Sequence, residues 1–173
     1  MKPILPILIL LSTLASAQNT IQPKPVPQLS FVRSADQLTL EAALELAKRS
    51  SEKARSFGRE VSVAVLDASG TVVLLFRGDG VGPHNTEAAR RKAYTALSTK
   101  TATLSLLRTS AANPDTHNLN TLPELLLLSG GAPLWYRGNV IGGIGVAGGG
   151  SAENDDIIAR AAAIPEQGIL TSK

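Results

Sequence analysis

The sequence predicts an α+β domain, an antiparallel sheet flanked by helices, and three observations carry that prediction. Hydrophobic spacing is helical in LTLEAALELAKRSSEKARSFG, residues 38–58, and turns strand-like in VSVAVLDASGTVVLLFRGDG, residues 61–80. Hairpin signals occur twice, as DASG at 67–70 and as RGN at 137–139. The resulting order is helix, two strands, helix, one or two strands, strand, helix. An antiparallel sheet covered by helices is the natural solution for such an order.

The first residues fall outside this domain. Lys2 is a short positive start, Ile4–Leu14 is largely apolar, and Ala15-Ser16-Ala17 has small residues at both recognition positions. That is the layout of a secretory signal peptide cut between Ala17 and Gln18. Its apolar core is too short to span a bilayer, so no integral membrane segment is expected in the mature chain. The expected destination is the periplasm or the exterior. Residues 18–37 form an arm, in which QNTIQPKPVPQLS carries three prolines and little apolar material. Residues 38–173 form one domain.

Within the domain, the first helix is expected to bury Leu40, Ala43, Leu44, Ala47 and Ala54 and to stop at Gly58. Strands follow at Val61–Leu66 and Thr71–Arg77. A second helix is expected from Thr86 or Glu87 to about Leu107, then an irregular polar stretch at 111–124. The run LLLLSGG at 125–131 fits either a short strand or a helical turn. Trp135–Tyr136 and Val140–Val146 make the second hairpin, where glycines 142, 143 and 145 would let a neighbour approach closely. A last helix is expected from Ser151 to Ala163, with Ser151 as its cap and Glu153 and Asp155 in its first turn.

Composition narrows the chemistry. The absence of cysteine excludes disulfides, thiolate metal sites and cysteine nucleophiles. After loss of Lys2 the mature chain holds 16 basic and 14 acidic residues, a balance that does not suggest nucleic acid as a partner. Gly143-Ile144-Gly145-Val146-Ala147-Gly148 matches a dinucleotide fingerprint in letters alone, late in the chain and partly within a strand, with no βαβ unit around it. The acidic residues that follow would repel a phosphate. Ser129-Gly130-Gly131 lacks the elbow of a serine hydrolase.

Two histidines remain, His84 and His117. His84 lies in a glycine-rich loop before the second helix, a position from which it could ligate an iron or donate to an anion; His117 lies in a polar loop. The spacing does not suggest a zinc site of three or four protein ligands. Arg90, Arg91 and Lys92 cannot share one helical face, so one of them could bind a carboxylate while the others are solvated. Tyr94 could lie at the sheet or at a pocket edge.

VSVAVLDASGTVVLLFRGDG, HNTEAARRKAYTAL and LLLLSGGAPLWYRGNVIGGIGVAGGGSAENDDIIARAA together resemble the GlcG/HbpS family of small haem-binding-type domains, over roughly residues 38–163. The resemblance implies a profilin- or sensor-type fold and homo-oligomers from dimers to octamers. It implies as ligand haem, another tetrapyrrole or another small molecule, possible accessory roles in redox sensing or haem handling, and no single activity. Ala88, Lys92, Ala93, Thr95 and Ala96 match its helix motif, while His84-Asn85-Thr86 departs from its usual start. A cofactor site is accordingly expected at His84, Lys92, Arg91 and Tyr94, with His84 as the metal ligand. Two further readings stay open: an enzyme or binder for a small organic acid, with His84 or Glu153 moving the proton, and an oligomeric scaffold without a small ligand.

Overall fold

The computed structural model describes residue 31 and residues 33–173. The expected leader at 1–17 and, of the expected arm at 18–37, residues 18–30 and 32 lie outside the described residues. Contacts divide the chain into Met1–Ser34 and Ala35–Lys173. Of the first unit only Phe31, Arg33 and Ser34 are described; the second unit holds all the described helices and strands. No described helix is long and apolar enough to cross a membrane.

Both expected hairpins form. β1 (Ser62–Asp67) and β2 (Val72–Arg77) are joined by a turn that Asp67 organises, its Oδ1 accepting from the Ser69 and Thr71 N–H groups at 2.9 and 3.0 Å. Those donors, led by the Ser69 hydroxyl, hold the Asp67 carboxyl below its usual range. β3 (Gly131–Tyr136) and β4 (Asn139–Ala147) are joined through Arg137 and Gly138, both at positive φ, which matches the twist of a two-residue hairpin. The four strands make one antiparallel sheet in the order β2-β1-β4-β3, so β1 and β4 are central. Pro133 sits on the edge strand β3, where its missing N–H is tolerated.

The two faces of the sheet are covered differently. Val63 and Val65 of β1, with Ile144 and Val146 of β4, point toward α1 (Leu40–Arg55) and α4 (Ala152–Arg160) and pack with Leu46, Ala47 and Ile158. The alternate residues Ala64 and Leu66 face α2 (His84–Thr99), which brings Ala89 and Ala93 against them. Gly131, Gly143 and Gly145 lie under the same helix. A Cβ on any of them would collide with the α2 backbone, at Lys92 O, Ala93 O and Ala89 O respectively. The glycine-rich strand is therefore a seat for a helix.

Four expectations are corrected. In α1, Leu40 and Leu44 are 57% and 52% exposed, while Ala43, Leu46, Ala47, Ser50 and Ala54 form the buried side. The serines disguised that side; buried, they find backbone acceptors, Ser51 Oγ donating to Ala47 O at 3.0 Å and Ser50 Oγ to Ile158 O at 3.4 Å. The second helix is two helices. α2 ends at Thr99, capped by Lys100 at a left-handed φ of 53°, and α3 (Thr103–Ala112) starts afresh. Thr99, Thr101 and Thr103 are poor helix formers, and buried Thr103 has a tertiary task, accepting from the Gly131 N–H at 2.8 Å. Leucines 125–128 form neither strand nor helix, and the polar stretch before them contains a 3-10 turn at His117–Thr121. The last helix begins as expected, Ser151 Oγ accepting from the Asn154 N–H at 3.1 Å, but ends at Arg160.

Candidate functional site

Three loops meet at the end of the sheet where β1 begins and β2 and β4 end. Gly78 N–H donates to Val61 O at 3.0 Å, closing the loop after β2 onto the start of β1. Gly148, just after β4, lies against Glu60 O and the Val81 side chain. Arg59 spreads its guanidinium over Gly150, one residue before the cap of α4. His84, the first residue of α2, is exposed, and its ring lies over Gly82.

Arg77 belongs to the same neighbourhood. It pairs across the sheet with Ser62, so both side chains share a face, and Ser62 Oγ is 3.5 Å from Thr86 Oγ1 in the first turn of α2. Neither Arg59 nor Arg77 has an ion-pair partner among the described residues. This end therefore offers one accessible imidazole, two guanidinium groups and a floor of glycines, with one carboxylate, Glu60, lying against Gly78. Among the described residues no three His, Asp or Glu side chains converge on a possible metal position. His84 could serve a metal as one ligand of a centre that other atoms complete.

The other residues expected at the site have different surroundings. Lys92 is 4% exposed; its Nζ donates to Asp155 Oδ2 at 2.8 Å and to Val146 O at 2.9 Å. Asp155 Oδ1 in turn accepts from the Gly149 N–H at 2.7 Å. The pair joins α2 to α4 past Gly130, where an added Cβ would press on the Asp155 Cβ. Arg91 donates from one terminal nitrogen to Pro123 O and Leu125 O, at 2.7 and 2.8 Å, leaving its Nε buried without a partner. With Thr95, whose Oγ1 accepts from the Leu126 N–H at 2.8 Å, it pins the leucine run to α2. Tyr94 packs beside Gly70, in the turn at the opposite end of the hairpin from Arg77. Lys92 and Tyr94 lie eight and ten residues along α2 from His84, about 12 and 15 Å. The four expected residues do not converge.

Of the remaining charged residues, Arg90 is held by Glu87 at 2.8 Å and by Glu124 at 3.1 Å. Its hydrogen bonds keep the Glu87 carboxyl below its usual range. His117 is exposed and its Nδ1 is engaged with Pro114 O. Glu153 is exposed at the start of α4.

Arg59 and Arg77 were missed at the level of sequence. The signal was available only as paired register: Arg77 ends the second strand of a hairpin whose first strand begins just after Arg59.

Two depressions lie elsewhere on the described surface. One, of about 610 Å³, opens between the start of α1, β3–β4 and the segment after α4, and includes Leu38, Glu41, Arg49, Tyr136 and Ile169. The other, of about 410 Å³, runs between α1 and β2, along Leu44, Lys48, Leu74 and Phe76. Neither reaches His84.

Known proteins share this architecture. A double mutant of HbpS from Streptomyces reticuli superposes with a TM-score of 0.71 at 39% identity, covering 80% of this chain and 94% of that one. A PduOC:heme complex gives 0.68 at 31% identity, covering 80% of this chain and all of its own. In sequence, a corrinoid adenosyltransferase PduO of Citrobacter freundii is 32% identical over 153 residues. That match spans 86% of this chain but 42% of the adenosyltransferase. The family described as haem degrading protein HbpS-like matches residues 38–164, nearly all of the folded unit, and the chain belongs to that family.

Proposed function

We propose that the protein binds haem, or a closely related tetrapyrrole, at the His84 end of the sheet. The observation that carries this reading is an exposed imidazole at the start of α2, at the same end of the sheet as two guanidinium groups without ion-pair partners among the described residues, over loops too glycine-rich to crowd a flat ligand. Support comes from the relatives: HbpS lends its name to the family, and PduOC has been crystallised with haem.

The donor set fits such a group. A histidine nitrogen is a common axial ligand of haem iron, and arginine forks suit the two propionates. When bound, the haem supplies the redox-active iron. His84 would hold that iron, and Arg59 and Arg77 would set the macrocycle's orientation by pairing its carboxylates. Lys92 and Arg91 would act from behind the site, Lys92 by fixing α2 against α4 and Arg91 by fixing it against the leucine run. The 610 Å³ groove is a poorer fit, because its lining has no histidine and carries four carboxylates against one guanidinium.

The described residues of one chain do not enclose the His84 end. A second copy seated over it would exclude water from the macrocycle, which agrees with a homo-oligomer as the binding form. Export completes the reading, carried by Lys2, the apolar run to Leu14 and the Ala15-Ser16-Ala17 site.

Titration of the protein with haemin tests the proposal. A saturable shift of the Soret band in the low micromolar range is expected, weakened and altered in position by His84→Ala. No saturable shift would overturn the binding function; an identical shift in His84→Ala would remove His84 as ligand and leave the binding intact.

A further inference from the structure

We infer that the 610 Å³ groove is a second ligand site, separate from the His84 end, and that it takes a small organic cation with an apolar body. Its volume lies within the range of sites for small molecules, and it is large enough for an aromatic or branched amine.

The walls are of two kinds. Leu38, Ala42, Ile141, Ile164 and Ile169 supply an apolar floor, and the half-buried Tyr136 adds an aromatic side. The rim carries Asp36, Glu41, Glu45 and Glu166, and the lone cation in the lining is Arg49. That cation is committed. Arg49 Nε is 2.8 Å from Glu45 Oε1, its NH1 donates to Ala163 O at 2.8 Å, and its NH2 contacts Glu166. Asp36 and Glu41 have no ion-pair partner among the described residues.

Such a lining discriminates by charge. An anion of the same shape would face the two unpaired carboxylates, Asp36 and Glu41, and a neutral molecule would gain from the floor alone. A cation satisfies both parts, with its apolar body on Ile141 and Ile169 and its charge toward Asp36 and Glu41. The Arg137 guanidinium already lies over the Tyr136 ring, 4.9 Å from its centroid, so the ring contributes apolar wall and the carboxylates alone select the charge.

Benzyltrimethylammonium, benzyl alcohol and benzoate are probes of similar size and different charge. The full chain titrated with each, followed by calorimetry and by amide NMR shifts, is expected to bind the cation saturably. Shifts should be centred on Ile141 and Ile169, with weaker binding of the alcohol and none of benzoate. In Asp36→Asn/Glu41→Gln, two exposed positions, affinity for the cation should fall about five-fold, with the apolar shifts retained. His84→Ala should leave cation binding unchanged. Absence of saturable binding, equal binding of the three probes, or an unchanged affinity in the double variant would each overturn the inference.

Discussion

The two faces of the sheet are built on opposite principles. Toward α1 and α4 the strands present valine, isoleucine and leucine, and interdigitating side chains fill the space. Toward α2 they present glycine and alanine, with Leu66 at one end, and over the glycines the helix backbone lies almost directly on the strand backbone. The first face is a side-chain core, which can give a little when a methyl group is removed. The second has no compressible layer, since an added atom meets a peptide group rather than a flexible side chain. Residues 144 and 145 are neighbours in β4 and face opposite ways, so one strand carries both regimes.

Substitutions on those faces make the contrast measurable. The largest effect is expected at Gly145→Val. Its first added carbon already overlaps Ala89 O, and α2 must lift from the sheet. A cost of about 5 kcal/mol or more is expected, beyond ordinary overpacking and comparable with the whole stability of many domains. Circular dichroism should then show no cooperative melt; a melting temperature within a few degrees of the parent would refute the close seat.

Next comes Lys92→Met, which leaves the Asp155 carboxylate buried and facing no cation. Breaking a buried pair in this way costs about 3–5 kcal/mol. Adding Asp155→Asn should restore part of it by removing the stranded charge. Denaturant unfolding reads both, and a Lys92→Met protein as stable as the parent would show that the pair does not staple α2 to α4.

On the opposite face, Ile144→Val removes one methyl from the side-chain core and should cost about 0.5–1.5 kcal/mol. Were it to cost as much as Gly145→Val, the distinction between the faces would be lost.

The smallest effect concerns the segment after α4, tied to α1 by Arg49. Hydrogen bonds from Arg49 hold the Glu45 and Glu166 carboxyls below their usual range. Because the folded values are depressed, this contribution is fully present above the ordinary carboxylate range and is lost as pH falls through the folded values. Trp135, the single tryptophan, bridges to Leu170 in the same segment and reports on it. Its emission should change below about pH 4, and Arg49→Met should show the acid-like spectrum already at neutral pH. A signal flat across that range in both proteins would dissociate the segment from the Arg49 contacts.

Much of this architecture was legible in the chain. Asp67 and Gly70 announced one hairpin and Arg137-Gly138-Asn139 the other, because turns depend on local backbone preferences. Ser151 announced the start of α4 for the same reason. The buried side of α1 was misjudged because Ser50 and Ser51 complete it, and a polar residue reads as exposed until its tertiary acceptor is known. The break at Lys100 was missed for a similar cause: the threonines that flank it weaken a helix slightly, and what decides the break is Thr103 holding Gly131.

The candidate site was less legible. His84 was visible as a loop histidine before a helix, but Lys92, a few letters away, looked equally available. Burial separates them, and burial is a property of what packs against a helix. Arg59 and Arg77 reach the same end of the sheet only through strand pairing and loop closure.

By itself, then, the sequence determined the α+β class, the hairpins, the helix cap and the family, because each is written in residues close along the chain or in their order. The tertiary structure alone decided which cations are spent inside the protein and which face outward. It also decided that the glycines of β4 serve α2 rather than a nucleotide. Both outcomes rest on the approach of segments distant in sequence, where a few tenths of an ångström separate a close seat from a collision.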